Sequence, residues 1–372
     1  MIPAFQHIYT HVPFCARRCS YCDFSIAIRS VTPVTEFLTA LTKELELRLT
    51  PSSTPLKTLY FGGGTPSRLG PIGITQAINT VRTFAPFAPD IELTIEANPD
   101  DITPDSAHAW AAAGVNRISL GIQSFNDDVL SWMHRTHTAN QAKSAVQTLR
   151  HAGISNISID LIFALPQELS RNWQSDIDQA LALQPDHISL YGLTVEPHTP
   201  LARWRDRGAV HEASEEAYEA DFLYAHAALT AAGFTHYEVS NYALPGRHSR
   251  HNSSYWSNTP YLGLGPSAHS FTGTTRFWNV APYTQWLQRL QENSLPTADS
   301  ETLSNENRNA ERVYLGLRTT TGLSASDTEL AIARSWTSQG WATIENGTII
   351  LTPLGWLRLD ALATALTGAE SR

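Results

Sequence analysis

The chain has 372 residues, 42% of them hydrophobic, and a formal net charge of −9. That is ample material for a large buried core, and the acidic balance disfavours nonspecific binding to nucleic acid or anionic lipid. No stretch of about 18 apolar residues occurs and no charged segment followed by an apolar run opens the chain, so neither a membrane span nor a signal peptide is expected, and a reducing, cytoplasmic location is the default.

The length suits about two domains, although one α/β barrel can absorb most of it. Residues 7–12 (HIYTHV) read as a first strand that runs straight into CARRCSYC, where Cys15, Cys19 and Cys22 are all the cysteines of the chain. Three cysteines at C-x3-C-x2-C cannot pair completely as disulfides. Structural zinc usually takes four ligands; His11 is a candidate fourth, but no second C-x2-C arm follows. An iron–sulfur cluster on three thiolates leaves one iron without a protein ligand, which is a place for a substrate or cofactor to coordinate. The clustering, the odd count and the spacing all favour that reading.

Five helical patterns (33–49, 72–84, 104–113, 138–152 and 170–183) then alternate with strand candidates at 57–62, 91–97, 116–122, 156–163 and 187–193. Thr or Ser stands ahead of the helical runs near 32, 103 and 169, and Gly114 and Gly153 fall where a helix should stop. Six strand–helix units without a Rossmann glycine pattern predict an α/β fold, a partial (β/α)6 barrel. In such a barrel the functional residues lie at the C-terminal strand ends. Those ends carry GGGTPS (62–67), Glu96, Gln123, Asp160 inside SIDLIF, and YGLTVEP. Each has a plainer reading: consecutive glycines make tight turns, Glu96 can cap the next helix, and Asp160 can bond to a loop. Their convergence on one barrel face with three thiolates favours function.

Beyond residue 195 the rhythm changes. A helix is expected over 212–232 and a strand over 236–243, followed by a segment at 246–279 rich in Gly, His, Asn and aromatic residues, too long for a plain connector. From about 304 the pattern predicts a helix and turn, a second helix at 325–339 and a hairpin with an Asn-Gly turn. This is a small helical module with a wing, and the acidic balance argues against nucleic acid as its partner. The expected division is a core over 1–200, a barrel extension over 201–300 and a C-terminal domain over 301–372.

CARRCSYC, GGGTPS, IEANP, GIQSFN and IDLIFALP, in that order, resemble the radical S-adenosylmethionine (SAM) superfamily, and within it the oxygen-independent coproporphyrinogen III oxidase-like branch. The resemblance covers residues 7 to about 280, and the tail is similar to the branch's C-terminal domain. It implies that Cys15, Cys19 and Cys22 hold a [4Fe–4S] cluster whose fourth iron takes the amino and carboxylate groups of SAM. It implies SAM contacts at Gly63, Gly64 and Thr65, at Glu96, Gln123, Arg135 and Asp160, at Tyr9 and Tyr21 beside the cluster, and at Thr194 and His269. An electron entering such a cluster from a donor cleaves SAM to methionine and a 5′-deoxyadenosyl radical.

Within the branch, the oxidases carry a further cysteine two residues after the third, where this sequence has Phe24, and a long segment before the Cys motif. Both departures match the heme-chaperone sister group. So does H-N-x-x-Y-W at 251–256, similar to that group's heme-binding motif. It implies His251 as iron ligand, Asn252, Tyr255 and Trp256 about the porphyrin, and Arg247 or Arg250 on a propionate; His248 is the rival ligand. The expected function is therefore heme binding and delivery to respiratory hemoproteins, with peripheral membrane contact and a homodimer left open. The alternatives are oxidative decarboxylation of coproporphyrinogen III or a related tetrapyrrole, and a nonenzymatic Fe–S or zinc structural protein.

Overall fold

In the computed structural model, which describes residues 5–50 and 53–368, the six expected strands form one parallel sheet in sequence order. They are β1 (His7–Val12), β2 (Leu56–Gly63), β3 (Phe87–Ala97), β4 (Arg117–Gln123), β5 (Asn156–Phe163) and β6 (His187–Gly192). The strand β3 starts earlier than its apolar run suggests because Phe87 pairs with Leu56 ahead of a register shift. Between the strands run α1 (Val34–Arg48), α2 (Gly70–Phe84), α3 (Pro104–Ala113), α4 (Ala139–His151) and α5 (Trp173–Ala182).

Strand period explains the layering. Ile8, Leu59, Leu93, Ile118, Ile157 and Ile188 are buried in the hydrophobic core together with helix residues such as Phe37, Ile74, Trp110 and Leu149. The alternate positions point to the other face, and there the register aligns His7 with Thr58, Thr58 with Glu92, Ser119 with Ser158 and Asp160 with Ser189. The inner face of the partial barrel is thus polar along its length.

The helix starts follow local chemistry with two departures from expectation. Thr103 caps α3 through Ser106 N in a capping box, and Gly114 ends that helix at φ 100°. Gly153 likewise takes φ 90° after α4. But α1 starts behind Pro33 with no side-chain cap, and α5 is capped by Asn172 rather than by the preceding serine.

Residues 201–300 build directly onto the same sheet. The helix α6 (Glu215–Ala231) leads into β7 (Thr235–Glu238) and β8 (Asn241–Ala243). The expected single strand at 236–243 is a hairpin, because Glu238 accepts the Ser240 amide and turns the chain. Antiparallel β8 adds beside β6. The ornate segment holds the short helix α7 (Arg250–Trp256) and β9 (Leu262–Leu264), which pairs parallel with β1. Nine strands result, in the order β9-β1-β2-β3-β4-β5-β6-β8-β7. A separate antiparallel sheet of His269–Phe271, Thr275–Asn279 and Thr297–Thr302 follows. It is tied to α1 by buried Glu44, which accepts from Asn279 Nδ2 of that sheet (2.6 Å) as well as from Arg48 Nε (2.9 Å), Gly265 N (2.8 Å) and Trp286 Nε1 (2.9 Å).

The tail forms the expected wing: Ala342–Glu345 pairs with Thr348–Leu351 through Asn346-Gly347, both at positive φ. It packs on β7, where Trp356 meets His236 edge-on at 4.4 Å and Arg318 pairs with Glu238 at 2.9 Å, covering a sheet edge that would otherwise be open. Among the described residues no helix is long and apolar enough to cross a membrane.

Candidate cofactor site

The C-terminal ends of β2 to β6 and the Cys loop after β1 enclose a cavity of about 460 Å³, within the usual range for a small-molecule site. Its walls include Cys15, Cys19, Cys22, Tyr21, Gly63, Gly64, Thr65, Glu96, Gln123, Arg135, Asp160 and Thr194. The sequence-derived positions therefore come together, with two exceptions. Tyr9 points to the same face but one layer deeper, level with Tyr60 in the register. His269 stands on the separate small sheet, stacked on Trp278 at 5.6 Å, because the chain has left the main sheet after Leu264. Neither lines the cavity.

The Cys loop is held by its backbone. Phe14–Cys15 pairs with Ala27–Ile28, Ser20 N donates to Met133 O at 3.1 Å, and Leu201 N donates to Ser20 O at 2.9 Å. Cys15 Sγ lies 3.4 Å from Thr65 Oγ1. Arg135 donates from Nη1 to Cys19 Sγ (3.6 Å) and from Nη2 to Asn98 Oδ1 (2.6 Å), while its buried Nε has no partner. Burial pushes the Cys15 and Cys22 thiols up, Cys22 to about 11. Among the described residues no three Cys, His or acidic groups close on a single ion-sized point. Cys15, Cys19 and Cys22 all line this one cavity, and three thiolates so gathered suit a multi-iron cluster, in which each sulfur takes a different iron.

The glycines have a packing reason as well. A Cβ on Gly64 would meet Pro13 C at 2.7 Å, and one on Gly63, at φ 112°, would meet the His11 ring at 2.6 Å. They let β2 pass close under the Cys loop while leaving backbone open to a ligand. Gln123 has φ 69°, His134 60° and Ala164 54°; Gln123 ends β4 and Ala164 directly follows β5, and Gln123 and His134 line the cavity.

Deeper in, Glu96 accepts from Tyr60 Oη (2.8 Å) and Gly63 N (3.0 Å) rather than capping a helix. Asp160 accepts from Ser119 Oγ at 3.1 and 3.0 Å. Burial raises both carboxyls, Glu96 to about 7. Carboxyls held by hydroxyl and amide donors favour a cationic or polyhydroxylated ligand, and Arg135 at the thiol end favours a carboxylate. SAM, with an amine, a sulfonium, a ribose and a carboxylate, fits this donor set. Sequence reasoning missed Tyr60, Asn98, Ser119 and Tyr191; Ser119 and Tyr191 were accessible from strand period, since both share the face of Asp160. Phe24, 59% exposed, stands on the rim.

The H-N-x-x-Y-W residues lie on α7, toward the N-terminal ends of the strands. His251 is 1% exposed, with Nδ1 2.6 Å from Thr58 Oγ1 and Nε2 2.7 Å from Tyr255 Oη. Burial drives its pKa down to about 3, so the ring is neutral. Asn252 is half-buried and its backbone N–H donates to the capping Ser249 Oγ at 3.3 Å. Trp256 lies under Arg318 at 4.2 Å, its buried Nε1 unpartnered. His248 is exposed and stacked on Tyr237 at 4.1 Å; Arg247 faces Asp186 at 3.5 Å and Arg250 faces Asp90 at 3.2 Å.

Comparison with known proteins agrees with this geometry. The radical SAM superfamily model matches residues 9–180. The chain is 36% identical to a heme chaperone HemW of Bacillus subtilis over 318 residues, covering 85% of this chain and 84% of that one. It is 36% identical to a heme chaperone HemW of Mycobacterium tuberculosis over 369 residues, covering 97% and 94%. Among solved structures, the coproporphyrinogen III oxidase HemN of Escherichia coli superposes with a TM-score of 0.82 at 21% identity, over 98% of this chain and 90% of that one; at that identity the likeness speaks for the fold. With thiolates, glycine turn and carboxyls in place and relatives matched over nearly the full length, the chain belongs to the radical SAM superfamily and, within it, to the HemW heme chaperone family.

Proposed function

We infer that the chain is a heme chaperone that binds heme together with a SAM-coordinated [4Fe–4S] cluster and passes the heme to hemoproteins, respiratory ones in particular. The observation that carries this reading is the pairing, in one HemW-family barrel, of a three-thiolate cavity at the C-terminal strand ends with an H-N-x-x-Y-W helix at the other end. When bound, the cluster and SAM supply one-electron chemistry.

The chain's own residues divide the work. Cys15, Cys19 and Cys22 hold iron, and Arg135 sets a positive charge beside Cys19 and a SAM carboxylate. Glu96 and Asp160 take the amine or ribose hydroxyls. Gln123 and Thr194 border the same ligand. At the other end His251 is the iron ligand, and Tyr255 and Trp256 give aromatic faces to the porphyrin. Because both ring nitrogens of His251 are engaged in this state, coordination requires one of those bonds to open. Delivery to respiratory proteins brings the chaperone to a membrane surface as a peripheral visitor.

Hemin titration of cluster-reconstituted protein, followed by transfer to an apo-hemoprotein, tests the reading. His251→Ala should weaken hemin binding about 10- to 100-fold, the scale on which metal-site contacts are lost. A variant that binds as well as wild type would remove His251 as ligand. Anaerobic turnover of coproporphyrinogen III to protoporphyrinogen on the same preparation would instead favour the oxidase.

A further inference from the structure

The heme motif and the SAM-facing carboxylate share one residue between them. Tyr60 stacks on the His251 imidazole with centroids 5.0 Å apart and planes 27° apart, and its hydroxyl donates to Glu96 Oε1 at 2.8 Å. The joint has no slack. A Cβ on Gly62 would meet Tyr9 Cε2 at 2.8 Å, Tyr60 Cε1 at 2.9 Å and Glu96 Oε1 at 3.0 Å, so rings and carboxylate already fill the space. His251 is clamped at both nitrogens, and Thr58 Oγ1, which holds one of them, also lies 2.9 Å from His7 Nδ1. At 1% exposure the imidazole has no open side for a porphyrin, so taking iron moves the ring out of this seat, and Tyr60 then loses the face it packs on. A positive charge stands near the carboxylate: Arg117, level with Tyr60 in the register and one inner-face residue below Glu96, is 1% exposed with Nε and Nη1 unpartnered. Packed joints of this kind switch between discrete arrangements rather than deforming smoothly.

We propose that Tyr60 is a positioning residue that couples the two ends of the barrel with negative sign: SAM on Glu96 keeps His251 seated and weakens heme binding, and heme on His251 weakens SAM binding by the same factor. The equality is required by linkage. The proposal rests on the assignment of heme to His251 and of SAM to Glu96. It gives the chaperone a two-state logic: the SAM-loaded form is poised to release heme, the SAM-free form to accept it.

The test is a pair of anaerobic titrations of the full-length, cluster-reconstituted protein. Hemin is followed by its Soret band with and without saturating SAM, and SAM by equilibrium dialysis with and without hemin. In wild type each ligand should raise the Kd of the other about fivefold or more, the lower end of ordinary allosteric coupling. In Tyr60→Phe both ligands still bind, but the factor falls to within about twofold of unity. Tyr242→Phe removes another buried hydroxyl, one with no partner, and should keep the wild-type factor, which separates coupling from general loosening. A wild-type hemin Kd unmoved or tightened by SAM, or a Tyr60→Phe protein with the wild-type factor, overturns the proposal while the heme reading stands. Absence of hemin binding in every condition overturns the heme reading, and the coupling with it.

Discussion

Glu96→Gln should flatten the pH dependence of stability in the cluster-free protein. The Glu96 carboxyl goes from 4.5 to about 7 on folding because burial penalises its charge, against the pull of the Tyr60 and Gly63 donors. The folded value lies above the unfolded one, so the folded state favours the proton. That stabilisation is complete below pH 4.5 and is lost as pH rises through 7. Integrated between pH 5 and pH 8, the shift corresponds to about 2.5 kcal/mol lost by wild type and kept by the glutamine variant. Gln Oε1 still accepts from Tyr60, but its amide faces the Gly63 N–H, which costs about 1–3 kcal/mol at every pH; the slope, not the absolute level, is therefore the observable. Urea unfolding of both proteins at pH 5, 6, 7 and 8 reads it directly. Curves that run parallel within about 0.5 kcal/mol would refute the assignment of a burial-raised carboxyl at this position.

Two further outcomes follow from packing. Glu44→Ala removes a carboxylate that is fully buried against Arg48, Gly265 and Trp286, strands the buried Arg48 guanidinium and should destabilise the protein by about 3–5 kcal/mol in urea unfolding; a loss under about 1 kcal/mol would mean the network carries little. Gly64→Ala forces a methyl onto Pro13 at 2.7 Å, should cost about 1–3 kcal/mol and should lower iron retained per chain after reconstitution, since Pro13 leads into the Cys loop. Wild-type iron content with wild-type stability would show that the loop yields freely.

The barrel was legible because its signals are local. Apolar alternation in β1 to β6, the Thr103 capping box and the positive-φ glycines at 114 and 153 each report on a few neighbouring residues. The cavity was legible in part because Glu96, Gln123 and Asp160 interrupt or end apolar runs where burial alone would not place them. What the sequence hid depends on pairing at long range. Nothing near Leu262 announces a parallel partner for β1, and the strand-like HYEVSNYA at 236–243 conceals the turn that Glu238 makes. The burial of His251 was hidden for the same reason: Thr58, which holds its Nδ1, and Tyr60, which stacks on its ring, are nearly 200 positions away. A motif histidine reads as a ready ligand until the fold shows both of its nitrogens in use.

The pairing of β9 with β1 also sets a clock. Ile8 aligns with Leu262, so the outer edge of the first strand has no partner until about 250 more residues have been made. At the usual synthesis rate of about 5–20 residues per second, that is roughly 13–50 s. Closing so long a loop adds little entropy, since its cost grows only with the logarithm of length. Time is the larger hazard: through that interval a newborn chain carries an uncovered strand edge next to three free thiols. Closure of the barrel along this edge is thereby placed late in synthesis, after most of the chain has been made.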